Sequence, residues 1–548
     1  MMLLFGCAPA SRVNSQNDRV LFLLGEEYDP LEFWGPYATL WTAGYKVDLA
    51  GPAKGMQLTP DSHVPEANVR VNVSLEEVDV SQYFALVVPG GPSAANIARF
   101  PKARQIARDF NAAGKPIGTV CHGARLLMPE GIFKDRVTAA VFMVADELCD
   151  QWKSRDYGTY LDLPVVIDRN LTCSRDPRDV PVWSRALLTR LAASGGLKPA
   201  QRQDRVLIVF AGVTQHQRWV LDRLNIFGLT PTVRNEAQIK EAHTPAELSS
   251  YDMLVILDGP GTEQLNAGDS LRALVSSFNA RKRTTLVTET AKKELPDIDL
   301  SPAKVIRPDN LADAMRQIYD SASQPADSPD IAYKDNTQEW SAKYTAAAAT
   351  PIKGAPWNPA AEYDAALALW NGFDDDAAAR MNDSLTRAGR KVLVIGPQAG
   401  SITGLNGAKA EAVATYTDPI RLSGSAVVVA PGGVWPKKTK AQQAVQPQWV
   451  EADEPARQKR LDWLTAQYTS GRKLVAFGFD SLHIGQQKLF KGKHFASTDQ
   501  ASVIWFGSEG AEYSPEKAMF SDKNLITAKP LVGVDEAIGL LRRSIKNE

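Results

Sequence analysis

The residues with the clearest chemical potential in this sequence are a cysteine and a histidine that follow one another. Cys121 and His122 lie in "GKPIGTVCHGARLL", where a short β-branched run passes through Val-Cys-His-Gly into a helix-like segment. Such a turn pushes the corner residue out at the edge of a sheet, and a small residue nearby, here Gly123, lets the turn form. The pattern predicts a nucleophile elbow with Cys121 at its tip. The alternative is a small buried core residue, as free cysteines often are.

The groups around this corner indicate what the cysteine could do. The N–H groups and the dipole at a helix N-terminus favour a thiolate. Gly90 and Gly91 end a neighbouring buried strand in "YFALVVPGGP". Their backbone N–H groups, together with that of His122, could form an oxyanion hole. The expected chemistry is attack of a cysteine on a carbonyl or acyl carbon.

The composition excludes several classes of protein. The chain has 548 residues with 62 basic and 63 acidic side chains, and it has no basic stripe for nucleic acid. No apolar run approaches the length of a membrane span. The 4 cysteines and 6 histidines lack the spacing of a disulfide framework or a metal site, so no cofactor is expected.

The N-terminal stretch "MMLLFGCAPAS" has two interpretations. It resembles a lipoprotein processing box at Cys7, which would make the chain a lipid-anchored envelope protein. However, its apolar part is too short for a signal sequence and no Lys or Arg precedes it. The sequence therefore favours a simple tail and a cytoplasmic protein, with the lipid anchor as the alternative.

The elements that must position the candidate residues recur along the chain. Buried strands "DRVLFLLG", "DRVLIVFAG" and "RKVLVIG" each open a segment that continues with further buried strands and charged, helix-like stretches. Alternating strands and helices predict α/β domains with parallel sheets, and the long repeat distance predicts tandem domains. The predicted segments are a tail over 1–17, a domain with the elbow over 18–197, a second copy over 203–322, a linker and helix over 323–388, and a third copy over 389–548.

The first domain resembles the ThiJ/PfpI superfamily, which has the class I glutamine-amidotransferase-like fold. The resemblance rests on "VCHGARLL", "RVTAAVFMVADEL" and "LPVVIDRNLTCSRDPRDVPVW", in that order. It implies tandem domains, each a flavodoxin-like parallel sheet sandwiched between helices. It also implies a carboxylic acid beside the thiolate. "EEYDPLEFWGPY" resembles that element, with Glu32 at the family position and Glu26 and Glu27 as rivals.

The resemblance gives Glu32 and His122 their expected roles. A Glu32 buried against a thiolate should keep its proton, since two adjacent anions are unfavourable, and should donate to sulfur. The alternative is a solvated or capping carboxylate. His122 is the base implied by the PfpI branch, which orients it with an acid that Ala95 replaces here. That departure makes peptidase chemistry less secure, and a packed, non-catalytic His122 is the alternative.

The other copies lack this set of residues. Glu289 and Gly478 take the place of Cys121, whereas Arg218 and Gly404 take that of Glu32. Both copies are therefore predicted to be degenerate, with a scaffolding or binding role. Because the family forms oligomers, the tethered copies are expected to pack within one molecule, with a homo-oligomer as the alternative.

The function implied by the resemblance is a cysteine-dependent, cofactor-free hydrolase, deglycase or glyoxalase-like activity on a small carbonyl or acyl substrate. Glutamine hydrolysis is disfavoured, because no His-x-Glu pair follows Cys121 in the first domain. One alternative is a redox or stress-response protein that uses an oxidisable Cys121. The other is a binding scaffold in which the thiol is unreactive.

Overall fold

The structure is a computed structural model. It describes residues 17–61, 67–141, 158–239, 250–267, 269–326, 333–349, 351–433, 447–484, 494–496, 512–513 and 517–546. The predicted lipid-anchor residue Cys7 lies outside these residues. The described residues fall into two compact units. The first unit contains the described residues up to Glu130, together with Arg169–Cys173 and Pro177–Lys334. The second unit contains the described residues of Gly131–Asp168, Ser174–Asp176 and the chain from Asp335 onwards.

The described residues of the first copy form an α/β sheet structure. Its strands are β1 (Arg19–Leu23), β2 (Lys46–Gly51), β3 (Gln57–Leu58), β4 (Val69–Arg70), β5 (Val73–Ser74), β6 (Ala85–Val88), β7 (Ile117–Val120), β8 (Val137–Thr138), β9 (Thr159–Tyr160), β10 (Val165–Asp168) and β11 (Leu171–Ser174). Its helices are α1 (Pro30–Thr42), α2 (Ser93–Ala98), α3 (Pro101–Ala112), α4 (Ala124–Leu127) and α5 (Val180–Ala193). The main sheet has the order β10-β11-β7-β6-β1-β2-β5, which is flavodoxin-like.

The central strands of this sheet are apolar on both faces. The strands β6 and β7 are buried at every residue, and β1 is buried at all but its first. They pair in parallel with their neighbours, so helices must cover both faces. Helix α3 does so with Ala103, Ile106, Ala107 and Phe110, whose spacing of three or four residues puts them on one face.

The second copy is a smaller parallel sheet. Its strands are β12 (Arg205–Phe210), β13 (Thr230–Arg234), β14 (Met253–Leu257), β15 (Thr284–Thr288) and β16 (Lys304–Ile306). Its helices are α6 (Gln215–Leu221), α7 (Glu236–Ile239), α8 (Asp269–Ala280), α9 (Glu289–Glu294) and α10 (Leu311–Ser321). The order β13-β12-β14-β15-β16 repeats the inner order of the first sheet.

The third copy has a sheet of the same order as the first, β21-β18-β17-β22-β23-β27-β26. Its strands are β17 (Glu362–Ala368), β18 (Val392–Gly396), β19 (Gly400–Thr403), β20 (Lys409–Ala412), β21 (Ala414–Thr415), β22 (Arg421–Ala430), β23 (Lys473–Phe477), β24 (His494–Phe495), β25 (Glu512–Tyr513), β26 (Met519–Asp522) and β27 (Leu525–Ala528). The helices are α11 (Thr337–Ala349), α12 (Asp375–Arg387), α13 (Pro447–Thr469), α14 (Gly478–Ile484) and α15 (Val534–Lys546).

This topology corrects the predicted linker and helix over 323–388. The segment contains β17, which lies between β18 and β22 and takes the place that β1 has in the first sheet. Helix α12 then takes the place of α1. The strand "RKVLVIG", predicted to open the third copy, is β18 and corresponds to β2. The third copy therefore begins by residue 362 rather than at 389.

Backbone conformation supports the repetition independently of the sheets. Gly114, Lys282 and Gly471 precede the strand that leads into the elbow position, and their φ angles are 63°, 54° and 87°. Arg169 and Lys523 occupy matching hairpin turns, in "DRN" and "DKN", and both have φ 54°. Non-glycine residues rarely take a positive φ, so these shared positions indicate that the copies keep the same turns.

Within the second unit, the Gly131–Asp168 segment makes specific contacts with the third copy. The side-chain amide of Asn406 accepts from the Tyr160 N–H and donates to the Tyr160 carbonyl, both at 2.9 Å. The Thr337 hydroxyl accepts from the Ile167 N–H at 2.9 Å. These bonds join the Gly131–Asp168 segment to the third copy. Packing of another copy close to Cys121 stays a prediction.

Candidate functional site

The candidate site lies at the carboxyl edge of the first sheet. Strands β6 and β7 pair Val88 with Thr119, so Gly90 lies level with Cys121. The sheet order reverses between β1 and β6, and such switch points open a crevice beyond the strand ends. The segments that follow β1, β6 and β7 meet there. They carry Glu32, Gly90 and Cys121, respectively.

Cys121 occupies a strained turn between β7 and the helix that follows. Its φ is 57°, in the left-handed region, and the residue is only 6% exposed. A non-glycine residue held there costs about 1–3 kcal/mol. Gly123 makes the turn possible, because a Cβ at that residue would lie 2.3 Å from the Val88 carbonyl oxygen and 2.5 Å from the Thr119 hydroxyl.

The helix after the turn is shorter than the sequence suggests. A 3-10 turn over Cys121–Gly123 leads into the four residues of α4, and a second 3-10 turn follows over Met128–Glu130. So short a helix has a small dipole, because the dipole is the sum of aligned peptide units. Stabilisation of a thiolate must therefore depend more on neighbouring side chains than the sequence suggests.

Glu32 lies in the first turn of α1 and its carboxyl group reaches the turn at Cys121. The Asp29 carboxylate caps α1 by accepting from the N–H groups of Leu31 at 2.8 Å and Glu32 at 3.1 Å. Glu32 itself is fully buried. A Cβ at Gly90 would lie 2.3 Å from Glu32 Oε2 and 2.8 Å from both Cys121 Cβ and the His122 nitrogen. These three groups therefore converge on one point, and only glycine leaves them room.

The rival acids are directed elsewhere. Glu26 Oε2 accepts from the N–H and the hydroxyl of Thr59, both at 2.9 Å. Glu27 is exposed and its carboxylate accepts from the Asn96 side chain at 3.2 Å. Of the three candidate acids in this loop, Glu32 is thus the one that the fold brings beside Cys121.

Gly91 joins the loop after β6 to the start of α1. Its φ is 70°, and a Cβ there would lie 2.6 Å from the Asp29 nitrogen and 2.7 Å from the Glu27 carbonyl oxygen. Glycine is required for both reasons. The His122 N–H is in the first turn of its helix, where N–H groups lack an intrahelical acceptor. The predicted oxyanion role of these N–H groups stays a prediction.

His122 contacts the cysteine but is a weak base. Its Nδ1 lies 3.2 Å from Cys121 Sγ. Burial, and then the positive charge of Arg125, lower the pKa of His122 to about 3, so the imidazole is neutral at neutral pH. Ala95 lies in α2 and supplies no acid that would favour the imidazolium. This arrangement argues for a hydrogen-bonding role of His122 and against its predicted role as base.

The lowered pKa of His122 predicts a dependence of stability on pH. The ordinary pKa of 6.5 applies to the unfolded chain, so protons bind the unfolded state preferentially between about pH 6.5 and 3. Stability from this residue is present above pH 6.5 and is lost as the pH falls. The His122→Gln variant lacks this titrating group. As the pH falls, we therefore expect its free energy of unfolding to decrease by up to about 1.4 kcal/mol per pH unit less than that of the wild type. Thermal unfolding of both proteins from pH 7 to pH 4 measures it.

If His122→Gln and wild type lose stability in parallel over this range, His122 is not held in its neutral form by the fold.

The corner of the second copy lacks the left-handed turn that is found at Cys121. Glu289 opens α9, which Thr288 caps by accepting from the Ala291 N–H at 3.4 Å. The Glu289 carboxylate pairs with Arg307 at 2.8 Å, and this hydrogen bond and charge lower its pKa. The structural counterpart of Glu32, the third residue of its helix, is Gln217 rather than Arg218. The predicted degeneracy of this corner is consistent with these contacts.

The third copy keeps the turn but fills its corner differently. Gly478 has φ 49°, close to that of Cys121. Asp480 is fully buried and forms a bidentate ion pair with Arg460, with both distances at 2.6 Å. Its Oδ2 also accepts from the Gly432 N–H at 2.8 Å. The counterpart of Glu32 is Ala377, the third residue of α12, and not Gly404.

Two positioning groups were missed by the sequence interpretation. Asp29 caps the helix that carries Glu32, and the Asp-Pro pair at a helix start is a signal that could have identified it. Ser93 accepts from the Gly25 N–H at 2.8 Å and thereby ties the loop after β6 to the end of β1. No local pattern marks Ser93, because the bond joins residues that are distant in sequence.

Two classes of site are absent from the described part of the chain. No group of three or more His, Cys, Asp or Glu side chains there could hold a metal ion. None of the helices in those ranges has the length and apolar character needed to cross a membrane.

Fold and site define a parallel α/β protein with a cysteine at a strained strand-to-helix turn. A profile of the DJ-1/PfpI family matches residues 18–190. Deglycase PfpI of Pyrococcus furiosus is 30% identical over 173 residues, which are 32% of this chain and 99% of that protein. Protein/nucleic acid deglycase 2 of Escherichia coli is 29% identical over 177 residues, 32% of this chain and 98% of that protein. The chain therefore belongs to the DJ-1/PfpI family.

Two solved structures each match about a third of the chain. A ThiJ/PfpI domain protein from Brachyspira murdochii is 16% identical and has a TM-score of 0.29, covering 32% of this chain and 98% of its own. The C103A mutant of a DJ-1 superfamily protein from Salmonella typhimurium is 25% identical and has a TM-score of 0.28. The match covers 32% of this chain and 91% of the Salmonella chain.

Proposed function

We propose that this protein is a cysteine-dependent enzyme, a hydrolase or deglycase, that acts on a small carbonyl or acyl substrate. The observation that carries the proposal is the convergence of the Cys121 turn, the buried Glu32 carboxyl group and the His122 nitrogen on Gly90. The deglycase names of two relatives support the same class of reaction.

In the proposed mechanism, Cys121 Sγ attacks the carbonyl carbon of the substrate and forms a tetrahedral adduct. The negative charge that develops on the substrate oxygen would be stabilised by backbone N–H groups of His122 and Gly91. Glu32, buried next to sulfur, is favoured in its protonated form and donates a hydrogen bond to the thiolate. With an acyl substrate, the adduct expels its leaving group together with a proton and becomes a thioester of Cys121, which water hydrolyses to the acid product and the free thiol.

The neutral His122 imidazole completes this arrangement as a hydrogen-bond partner of sulfur. A histidine with a pKa of about 3 is a poor proton acceptor at neutral pH, so the proposal assigns the activation of Cys121 to Glu32 and the turn. The low exposure of Cys121, 6%, favours small substrates over folded proteins.

The test is substrate turnover by the full chain across aldehydes, glycated amino acids and small peptides. We expect product in large excess over enzyme for at least one aldehyde or glycated amino acid. If the product never exceeds one equivalent per chain with any of the three substrate classes, the proposal that this protein is an enzyme is wrong. Stoichiometric oxidation of Cys121 by peroxide under the same conditions would then favour a redox sensor.

A further inference from the structure

The helix turn that carries Glu32 is only partly held by its own hydrogen bonds. Pro36 lies within α1 and has no N–H, so it cannot donate to the Glu32 carbonyl four residues earlier. The Asp29 cap fixes the beginning of this turn. The position of Glu32 therefore depends on what packs against the next turn of the helix.

A tryptophan from the second copy packs there. Gly35 follows Glu32 by three residues, and a Cβ at Gly35 would lie 2.6 Å from Trp219 Cη2 and 2.6 Å from Val180 Cγ1. Trp219 belongs to α6 of the second copy, whereas Val180 opens α5 of the first. The indole is thus wedged against α1 at a position where only glycine leaves room for it. The Arg223 guanidinium carbon lies over the Trp219 ring, 4.4 Å from its centre.

The second copy also holds the far end of the same helix. Trp41 Nε1 donates to Asp313 Oδ1 at 3.4 Å, and the Arg316 guanidinium lies 5.6 Å from the centre of the Trp41 ring. Asp313 and Arg316 are both in α10, which packs along α1. All of these residues belong to the first compact unit. Helix α1 is therefore held near its middle, at Gly35, and at its far end, at Trp41, by a copy that has lost the counterpart of Cys121.

We propose that the second copy is a positioning domain for the site of the first, with Trp219 as the positioning residue that holds Glu32 against Cys121. This inference rests on the proposed function, because it assigns a role to the Glu32–Cys121 pair. It explains why a degenerate copy retains a large aromatic side chain against α1. A move of about 1 Å in a reacting group costs up to about a hundredfold in rate.

The experiment uses the full chain and the pH profile of Cys121 alkylation by iodoacetamide, quantified by peptide mass spectrometry. We expect Trp219→Leu to shift this profile in the same direction as Glu32→Gln and to lower turnover on the order of tenfold. Trp219→Phe, which keeps an aromatic ring, should stay close to the wild type. The control Phe278→Leu removes a buried ring from the core of the second sheet and should leave the profile unchanged.

The double variant Glu32→Gln/Trp219→Leu separates a positioning role from general destabilisation. If Trp219 acts through Glu32, the double variant has the profile of Glu32→Gln alone. A wild-type profile for Trp219→Leu, or shifts that add in the double variant, would overturn the inference while leaving the proposed function intact. A wild-type profile for Glu32→Gln would instead overturn the proposed pairing. If Trp219→Leu fails to fold, Gly35→Ala, whose Cβ displaces the indole, answers the same question.

Discussion

Replacing Cys121 with serine is expected to lower turnover of every accepted substrate by at least about a thousandfold, as removal of a nucleophile does in well-studied hydrolases. The hydroxyl fits the same turn, but it is a far weaker nucleophile at neutral pH. Steady-state kinetics of the full-length variant measure the effect. The matched control is Cys173→Ser, because Cys173 is the other cysteine among the described residues and is fully buried in β11.

Glycine at the same position separates the loss of the nucleophile from damage to the fold. The third copy already has Gly478 at this turn with φ 49°, so Cys121→Gly should fold and should relieve the strain of φ 57°. We expect it to unfold at a temperature no lower than Cys121→Ser while being equally inactive. Substantial turnover by either variant would show that the sulfur is not the nucleophile.

The tight turn at Cys121 could be predicted from sequence because its signals are local. A buried strand, Cys121 and Gly123 follow one another within a few residues. A side chain at Gly123 would collide with Val88 and Thr119. The turns at Gly114, Lys282 and Gly471 are local in the same way, because they lie at matching positions just before β7, β15 and β23. What sequence could not give was the length of the following helix, which ends within one α-helical turn.

The third copy shows where sequence patterns mislead. "EYDAALALW" is rich in alanine and leucine, which favour a helix, yet Glu362–Ala368 forms a central strand. The strand forms because β18 and β22 pair with it on both edges and apolar side chains cover both faces. These are tertiary effects that outweigh intrinsic propensity. Once this strand was misassigned, the counterpart of Glu32 was placed at Gly404 instead of Ala377.

Glu32 and His122 mark the limits of the site prediction. Three glutamates lie within seven residues of one another, and only the fold shows that Glu26 and Glu27 bond to Thr59 and Asn96. The low pKa of His122 follows from burial and from Arg125 one helical turn away. Neither effect has a sequence signature, because each depends on how deeply the side chain is enclosed.

Gly90→Ala is expected to lower kcat/KM by about a hundredfold, the cost of misplacing a reacting group by roughly 1 Å. The φ of Gly90 is not in the left-handed region, so alanine itself is not strained there. Its Cβ, however, would lie 2.3 Å from Glu32 Oε2 and 2.8 Å from Cys121 Cβ. Either the carboxyl group or the cysteine must move, so the pH profile of Cys121 alkylation should change together with kcat/KM.

Gly424→Ala is the matched control, because Gly424 in β22 also lacks a positive φ and a Cβ added there would meet no neighbouring atom within 4 Å. It should leave turnover and alkylation at wild-type values. Gly90→Ala should differ from it in those two measurements and should also unfold at a lower temperature, because the added Cβ would lie 2.8 Å from the backbone nitrogen of His122, which cannot move without moving the turn. A Gly90→Ala protein with wild-type kcat/KM would mean that Glu32 and Cys121 do not act together. Activation of the thiol would then have to come from the turn and His122 alone.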